Sequence, residues 1–292
     1  MTTDRNELEN TQTTNVSRRD FMAGSVAVGL VAAAGQTFAA TLTVVETEVT
    51  VKTPDGICDA AFIHPASGTY PGVIIWPDAL GLRPSMRDIA KRLAAEGYSV
   101  LVPNPFYRVS KAPQYTTAAN LDFKNPDTMT KLRPLMSSVQ AAGAAEKDAI
   151  AYVAFLDGQP QVNKTKKIGT QGYCMGGPIA FRTAAAVPDR VGAVGSFHGG
   201  GLVTTAPNSP HLQAAKSKAQ FLIAIAANDD ARAPNDKTTL KDTFAKASLP
   251  AEIEVYTGSA HGWCPPDSSV YNEPLAEKAW ARLLALYGKA LA

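Results

Sequence analysis

The feature that most constrains this chain is a series of short apolar runs in which polar and apolar residues do not alternate. Residues 72–76, 99–102, 191–197 and 221–226 read this way, and the more polar segment at 167–171 is a strand candidate between them. A strand with one face in water alternates, whereas one covered by helices on both faces is apolar throughout, so runs of this kind belong in a parallel sheet with two helical layers. Residues 42–51, 60–63 and 252–256 add three further strand candidates. Between the runs lie amphipathic stretches at 85–96, 141–156, 177–186, 238–247 and 273–291. Strand and helix in this order predict an α/β fold, a mostly parallel central sheet covered by helices on both faces and joined by right-handed crossovers. Residues 104–130, rich in Pro, Asn and Tyr, have no clear period and are expected to form a loop or cap at one end of the sheet.

Composition narrows the class of function. The 292 residues are 45% hydrophobic and 18% charged, with a mean hydropathy of −0.08. That balance excludes intrinsic disorder, a collagen-like chain and a polytopic membrane protein. Lys and Arg number 28 against 26 Asp and Glu, a net charge of +2, and no like-charge run occurs. Nothing here offers a footprint for nucleic acid or anionic lipid, so a small-molecule substrate is expected.

Residues 1–40 read as an export signal rather than as part of the fold. Ser17-Arg18-Arg19-Asp20-Phe21-Met22 precedes a soft apolar run at 23–35 and small residues at Ala39 and Ala40. The pattern resembles a twin-arginine signal, which implies export by the Tat machinery and a periplasmic location. Residues 41–292 are then one domain. Three cysteines, Cys58, Cys174 and Cys264, are an odd number for an oxidising compartment, so at least one thiol stays free or pairs between chains. Whether Cys58 and Cys264 are bridged is left open by the sequence.

The chemistry centres on Gly172-Tyr173-Cys174-Met175-Gly176-Gly177, between the strand at 167–171 and a helix. This is the form of a nucleophile elbow, whose glycines admit a strand-to-helix turn too tight for side chains. The elbow would set Cys174 at the carboxyl edge of the sheet and the positive end of a helix, which favours a thiolate. Asp230 follows the strand at 221–226, and His261 follows the strand at 252–256. Nucleophile, acid and base then come in the chain order of an α/β-hydrolase, all from carboxyl ends of strands. Asp229 is chemically as good an acid, and the sequence leaves the pair open while favouring Asp230. No metal-ligand spacing and no C-x-x-C occur, so neither a metal site nor thioredoxin-like redox chemistry is expected, and no cofactor is implied.

These residues together resemble the dienelactone hydrolase family, from about residue 58 to 291. The likeness runs through Trp76-Pro77-Asp78-Ala79-Leu80-Gly81-Leu82, residues 89–97, the segment from Tyr98 to Tyr107-Arg108, and the elbow. It continues through Asp230 four residues before Pro234 and His261-Gly262 before an aromatic. The resemblance implies an α/β-hydrolase fold and hydrolysis of small esters or lactones, as in a carboxymethylenebutenolidase, through a thioester on Cys174. His261 would serve as base and then acid and Asp230 as its orienting group, with the Met175 and Ala79 N–H groups as oxyanion donors. Asp78 stands where the family has a thiol-controlling carboxylate, and is one methylene shorter. Arg108 matches one of two arginines that hold a substrate carboxylate. The second is replaced by Trp263-Cys264-Pro265, which weakens the case for dienelactone itself. Tyr173 and Trp263 flank the expected site as candidate substrate-binding residues. The alternative is an inactive or weakly active periplasmic ligand-binding relative of the same fold. The oligomeric state, monomer or homodimer, is left open.

Overall fold

The computed structural model describes residues 42–292; the twin-arginine reading of residues 1–40 lies outside them. An eight-stranded sheet has the order β1-β2-β4-β3-β5-β6-β7-β8. β1 (Val44–Thr53) and β2 (Gly56–Pro65) form an antiparallel hairpin, and β2 is antiparallel to β4 (Ser99–Pro103). From there to the far edge every pairing is parallel, through β3 (Gly72–Trp76), β5 (Ile168–Tyr173), β6 (Val191–Phe197), β7 (Gln220–Ala226) and β8 (Ala251–Tyr256).

Two cores flank this sheet because successive side chains of a strand point to opposite faces. In β3, Ile74 and Trp76 pack with Tyr152 of α3 (Ala144–Gly158) and Ile179 of α4 (Gly176–Ala186). Val73 and Ile75 pack on the other side with Leu93 of α1 (Pro84–Ala95) and Leu283 of α8 (Glu273–Ala290). All five β3 residues are buried, and each large aliphatic side chain removed from water contributes roughly 1.5–3 kcal/mol. This is the mostly parallel, helix-covered sheet expected from the apolar runs, and the α/β-hydrolase architecture that the resemblance implied.

Two local expectations fail. The region read as a loop to residue 130, with a helix only from 141, contains α2 (Pro126–Gln140). Its start is marked by Asn125, whose side chain accepts the Asp127 N–H at 2.9 Å; internal Pro134 and only three buried residues obscure its period. The segment after β7, in which no helix is expected from the sequence, is a short helix, α6 (Ala227–Arg232). The remaining helices are α5 (Pro210–Ala214) and α7 (Asp236–Lys246). All three thiols are free. Cys58 packs in one core and Cys264 against the other, so the sheet separates them. Burial pushes the Cys58 thiol up to about 12, which leaves it protonated and inert.

Candidate active site

The elbow is built by steric necessity. A Cβ on Gly172 would lie 2.0 Å from the Gly176 carbonyl oxygen, and one on Gly176 would lie 2.2 Å from that of Trp76. Neither gap admits a side chain, so these glycines let β5 turn directly into α4 and press the turn against the end of β3. Cys174 at the apex has φ 51°, a conformation that costs a non-glycine residue about 1–3 kcal/mol. Its N–H donates to the Phe197 carbonyl at 3.0 Å, and its own carbonyl accepts the Gly177 N–H at 3.1 Å. Neighbouring strand and helix thus hold the strained residue in place.

His261 leaves the loop after β8. Its N–H donates to Asn228 Oδ1 at 2.8 Å, and Ser259 Oγ accepts the Ala227 N–H at 3.1 Å while donating to the Tyr256 carbonyl at 2.6 Å. These bonds staple the histidine loop to α6. The ring Nδ1 lies 2.6 Å from Asp229 Oδ2, which leaves the other ring nitrogen for the nucleophile. Burial works against a charged ring, but the bonds to Asp229 and Cys174 outweigh it and lift the His261 pKa to about 10.

Asp229, rather than the favoured Asp230, therefore faces the imidazole. Both oxygens of Asp230 accept from Lys237 Nζ at 2.8 Å. Adjacent residues on a helical turn point about 100° apart, so once α6 forms only one of the two carboxylates can face His261.

Two backbone donors, one in the turn after β3 and one in the elbow, are left unpaired among the described residues. Among the described residues neither the Met175 N–H nor the Ala79 N–H has a hydrogen-bond partner, whereas the neighbouring Leu80 N–H donates to Asp78 Oδ1 at 2.9 Å and the Gly81 N–H to the Asp78 carbonyl at 3.0 Å. Free amides on a fixed turn and at a helix start are the groups an oxyanion requires.

Four expected contact residues are committed elsewhere. Asp78 takes Arg83 Nη1 and Nη2 at 2.7 and 3.0 Å, so its carboxylate is held by a guanidinium rather than poised on the thiol. Arg108 spans Asp55, at 2.8 Å, and Asp148, at 2.7 and 2.8 Å, and stacks on Tyr107, which leaves no fork for a substrate carboxylate. Tyr173 is buried, stacks on Phe197 and accepts from Gln171. Trp263 is also buried, stacked on Tyr256 at 5.3 Å. Both aromatics are core residues whose nearness in sequence to the nucleophile and base made them resemble pocket walls.

The sequence reading missed Asn228, Arg83, Asp267 and His198, for none of which a local signal exists. His198 is buried edge-on against His261, with ring centroids 5.1 Å apart. Burial, followed by the charge of His261, holds its pKa well below the usual histidine range, so it packs as a neutral ring. A cavity of about 140 Å³ opens beside the acid, lined by Gly199, Gly200, Gly201, Asp229, Asp230 and Lys237 among others.

Comparison with known proteins places this geometry in context. The sequence profile of the dienelactone hydrolase family matches residues 58–291. A Synechocystis protein provisionally named a carboxymethylenebutenolidase is 28% identical over 225 residues, 76% of this chain and 87% of its own. The carboxymethylenebutenolidase of Rhodococcus opacus is 27% identical over 215 residues, 73% of this chain and 78% of its own. A Klebsiella pneumoniae structure provisionally named a dienelactone hydrolase superposes with a TM-score of 0.70 at 23% identity, covering 85% of this chain and 99% of the other.

Proposed function

The chain belongs to the dienelactone hydrolase family, and from that premise we propose that it is a carboxylic ester hydrolase, acting on small esters or lactones with Cys174 as nucleophile. The observation that carries this reading is the elbow that holds Cys174 at φ 51°, together with a His261 ring oriented by Asp229 at 2.6 Å. The names of relatives such as the Rhodococcus opacus enzyme support the reaction class.

The chemistry follows from where the proton sits. With His261 protonated, the Cys174 thiolate attacks the ester carbonyl carbon, and the Ala79 and Met175 N–H groups receive the oxyanion, each contributing about 3–4 kcal/mol. As the intermediate collapses, the C–O bond breaks and the departing alkoxide takes the His261 proton, leaving a thioester. The neutral ring then removes a proton from water. Hydroxide adds to the thioester, the Cys174 thiolate departs, and acid is released with the imidazolium restored. Asp229 keeps the ring oriented throughout.

The engaged Arg108 favours uncharged substrates over a carboxylate-bearing dienelactone. Short-chain p-nitrophenyl esters should be cleaved with a burst, and Cys174→Ala should abolish it; unchanged turnover in that variant contradicts the nucleophile assignment. The arrangement of nucleophile, base and acid favours an enzyme over the binding-only alternative. We further propose export through the twin-arginine pathway, supported by Ser17-Arg18-Arg19 ahead of an apolar run. Replacing both arginines by lysine should stop the shortened form reaching the periplasm, and undiminished export contradicts the proposal.

A further inference from the structure

Arg83 has no solvent exposure, although it lies at the very start of α1. Its guanidinium is saturated on two sides. Nη1 and Nη2 donate to the two oxygens of Asp78 at 2.7 and 3.0 Å. Nε and Nη2 donate to the two oxygens of Asp267 at 2.7 and 3.0 Å. Paired forks of this kind are both strong and directional, because a planar guanidinium fixes the plane and the distance of each carboxylate.

The carboxylates hold more than the arginine. Asp78 Oδ1 also accepts the Leu80 N–H at 2.9 Å, and the Asp78 carbonyl accepts the Gly81 N–H at 3.0 Å. Within the turn from Asp78 to Gly81 this uses the two amides that follow Ala79 and leaves that of Ala79 itself free. At the other end, Asp267 Oδ2 accepts the Ala118 N–H at 2.9 Å. Asp267 sits six residues beyond His261, on the same connection between β8 and α8. One buried guanidinium therefore joins the turn carrying Ala79, the loop carrying His261 and the segment around residue 118.

We propose that Arg83 is a positioning residue: the Asp78–Arg83–Asp267 clamp fixes the turn that offers the Ala79 N–H and locks it to the histidine loop. The inference rests on the hydrolase reading above, and gives Asp78 the task of shaping the oxyanion turn in place of controlling the thiol. A guanidinium withdrawn from water entirely, between two carboxylates that keep little of it, is costly, and a clamp whose geometry sets a catalytic donor accounts for its presence here.

Two reactions of the same sulfur separate this role from a merely structural one. Acylation by p-nitrophenyl acetate develops an oxyanion. Alkylation of Cys174 by iodoacetamide displaces iodide at a saturated carbon and develops none. In Arg83→Lys, which keeps the charge and loses the double fork, acylation should slow about 10²-fold, the scale of one lost oxyanion donor. The loss should fall on kcat rather than KM, with Cys174 alkylation within threefold of wild type. If Arg83→Lys does not fold, the isosteric Asp267→Asn should show the same split in the same direction. Acylation and alkylation falling together, or acylation staying within threefold, overturns the clamp. Wild-type protein that alkylates at Cys174 but leaves the ester intact overturns the hydrolase reading instead.

Discussion

Two clusters of charge in this molecule use the same residue types to opposite ends. Around Arg108, the carboxylates of Asp55 and Asp148 close on one guanidinium, and Tyr107 adds a hydroxyl at 2.8 Å from Asp148. Every strong donor there meets an acceptor, so the cluster ties the β1–β2 hairpin to α3 and has nothing left to offer a ligand. Around His261, by contrast, Asp229 meets a group that can gain and lose a proton and whose other ring nitrogen is left for chemistry. Charge paired with a permanent cation makes structure. Charge paired with an imidazole leaves room for chemistry.

The comparison breaks most visibly at Asp229. Asp229→Asn should lower kcat on the order of 10³–10⁴-fold while leaving the fold intact, since the loss is of ring orientation and of a charge partner. The same variant should move the alkaline limb of the kcat profile down from about pH 10, because the Asp229 bond helps hold the proton on His261. The sign for stability follows the same shift. With the folded pKa raised to about 10, the stabilisation due to His261 is complete below its unfolded value near 6.5 and fades as pH rises through 10. Melting curves from pH 6 to 10.5 should show that slope in wild type and a shallower one in Asp229→Asn.

Arg108→Met tests the other cluster. Asp148 is fully buried, so removing its cation should cost about 3 kcal/mol in urea unfolding, with kcat on neutral esters within threefold of wild type. A large loss of activity at unchanged stability would return Arg108 to the substrate. The smallest effect belongs to Asp230→Asn, whose salt bridge to Lys237 is partly exposed. It should change stability by less than about 1 kcal/mol and activity by less than threefold. An Asp230→Asn loss that matches Asp229→Asn contradicts the assignment of the acid.

Legibility in the sequence tracked the range of the interaction. All eight strands were readable, and β3 and β6 were readable to the residue because burial there leaves an unbroken apolar run. The elbow was readable because its glycines answer a local clash, 2.0 Å for a Cβ at position 172. The choice between Asp229 and Asp230 was not, since it depends on a single turn of α6 and on Lys237 seven residues away. Arg83 and Asp267 stand 184 residues apart, and no local pattern announces their pairing. Tyr173 and Trp263 looked like pocket walls from their neighbours in sequence, but alternation along β5 and stacking on Tyr256 turned them into the core.

The direct test of the account is to mix the protein with p-nitrophenyl acetate, quench in acid within the burst, and locate the acyl group by peptide mass spectrometry. One acetyl group per chain on the peptide containing Cys174, labile to hydroxylamine and absent from Cys174→Ala, is the result predicted. Ester turnover with the acetyl group on another residue, or with Cys174 unmodified and replaceable by alanine, would contradict it.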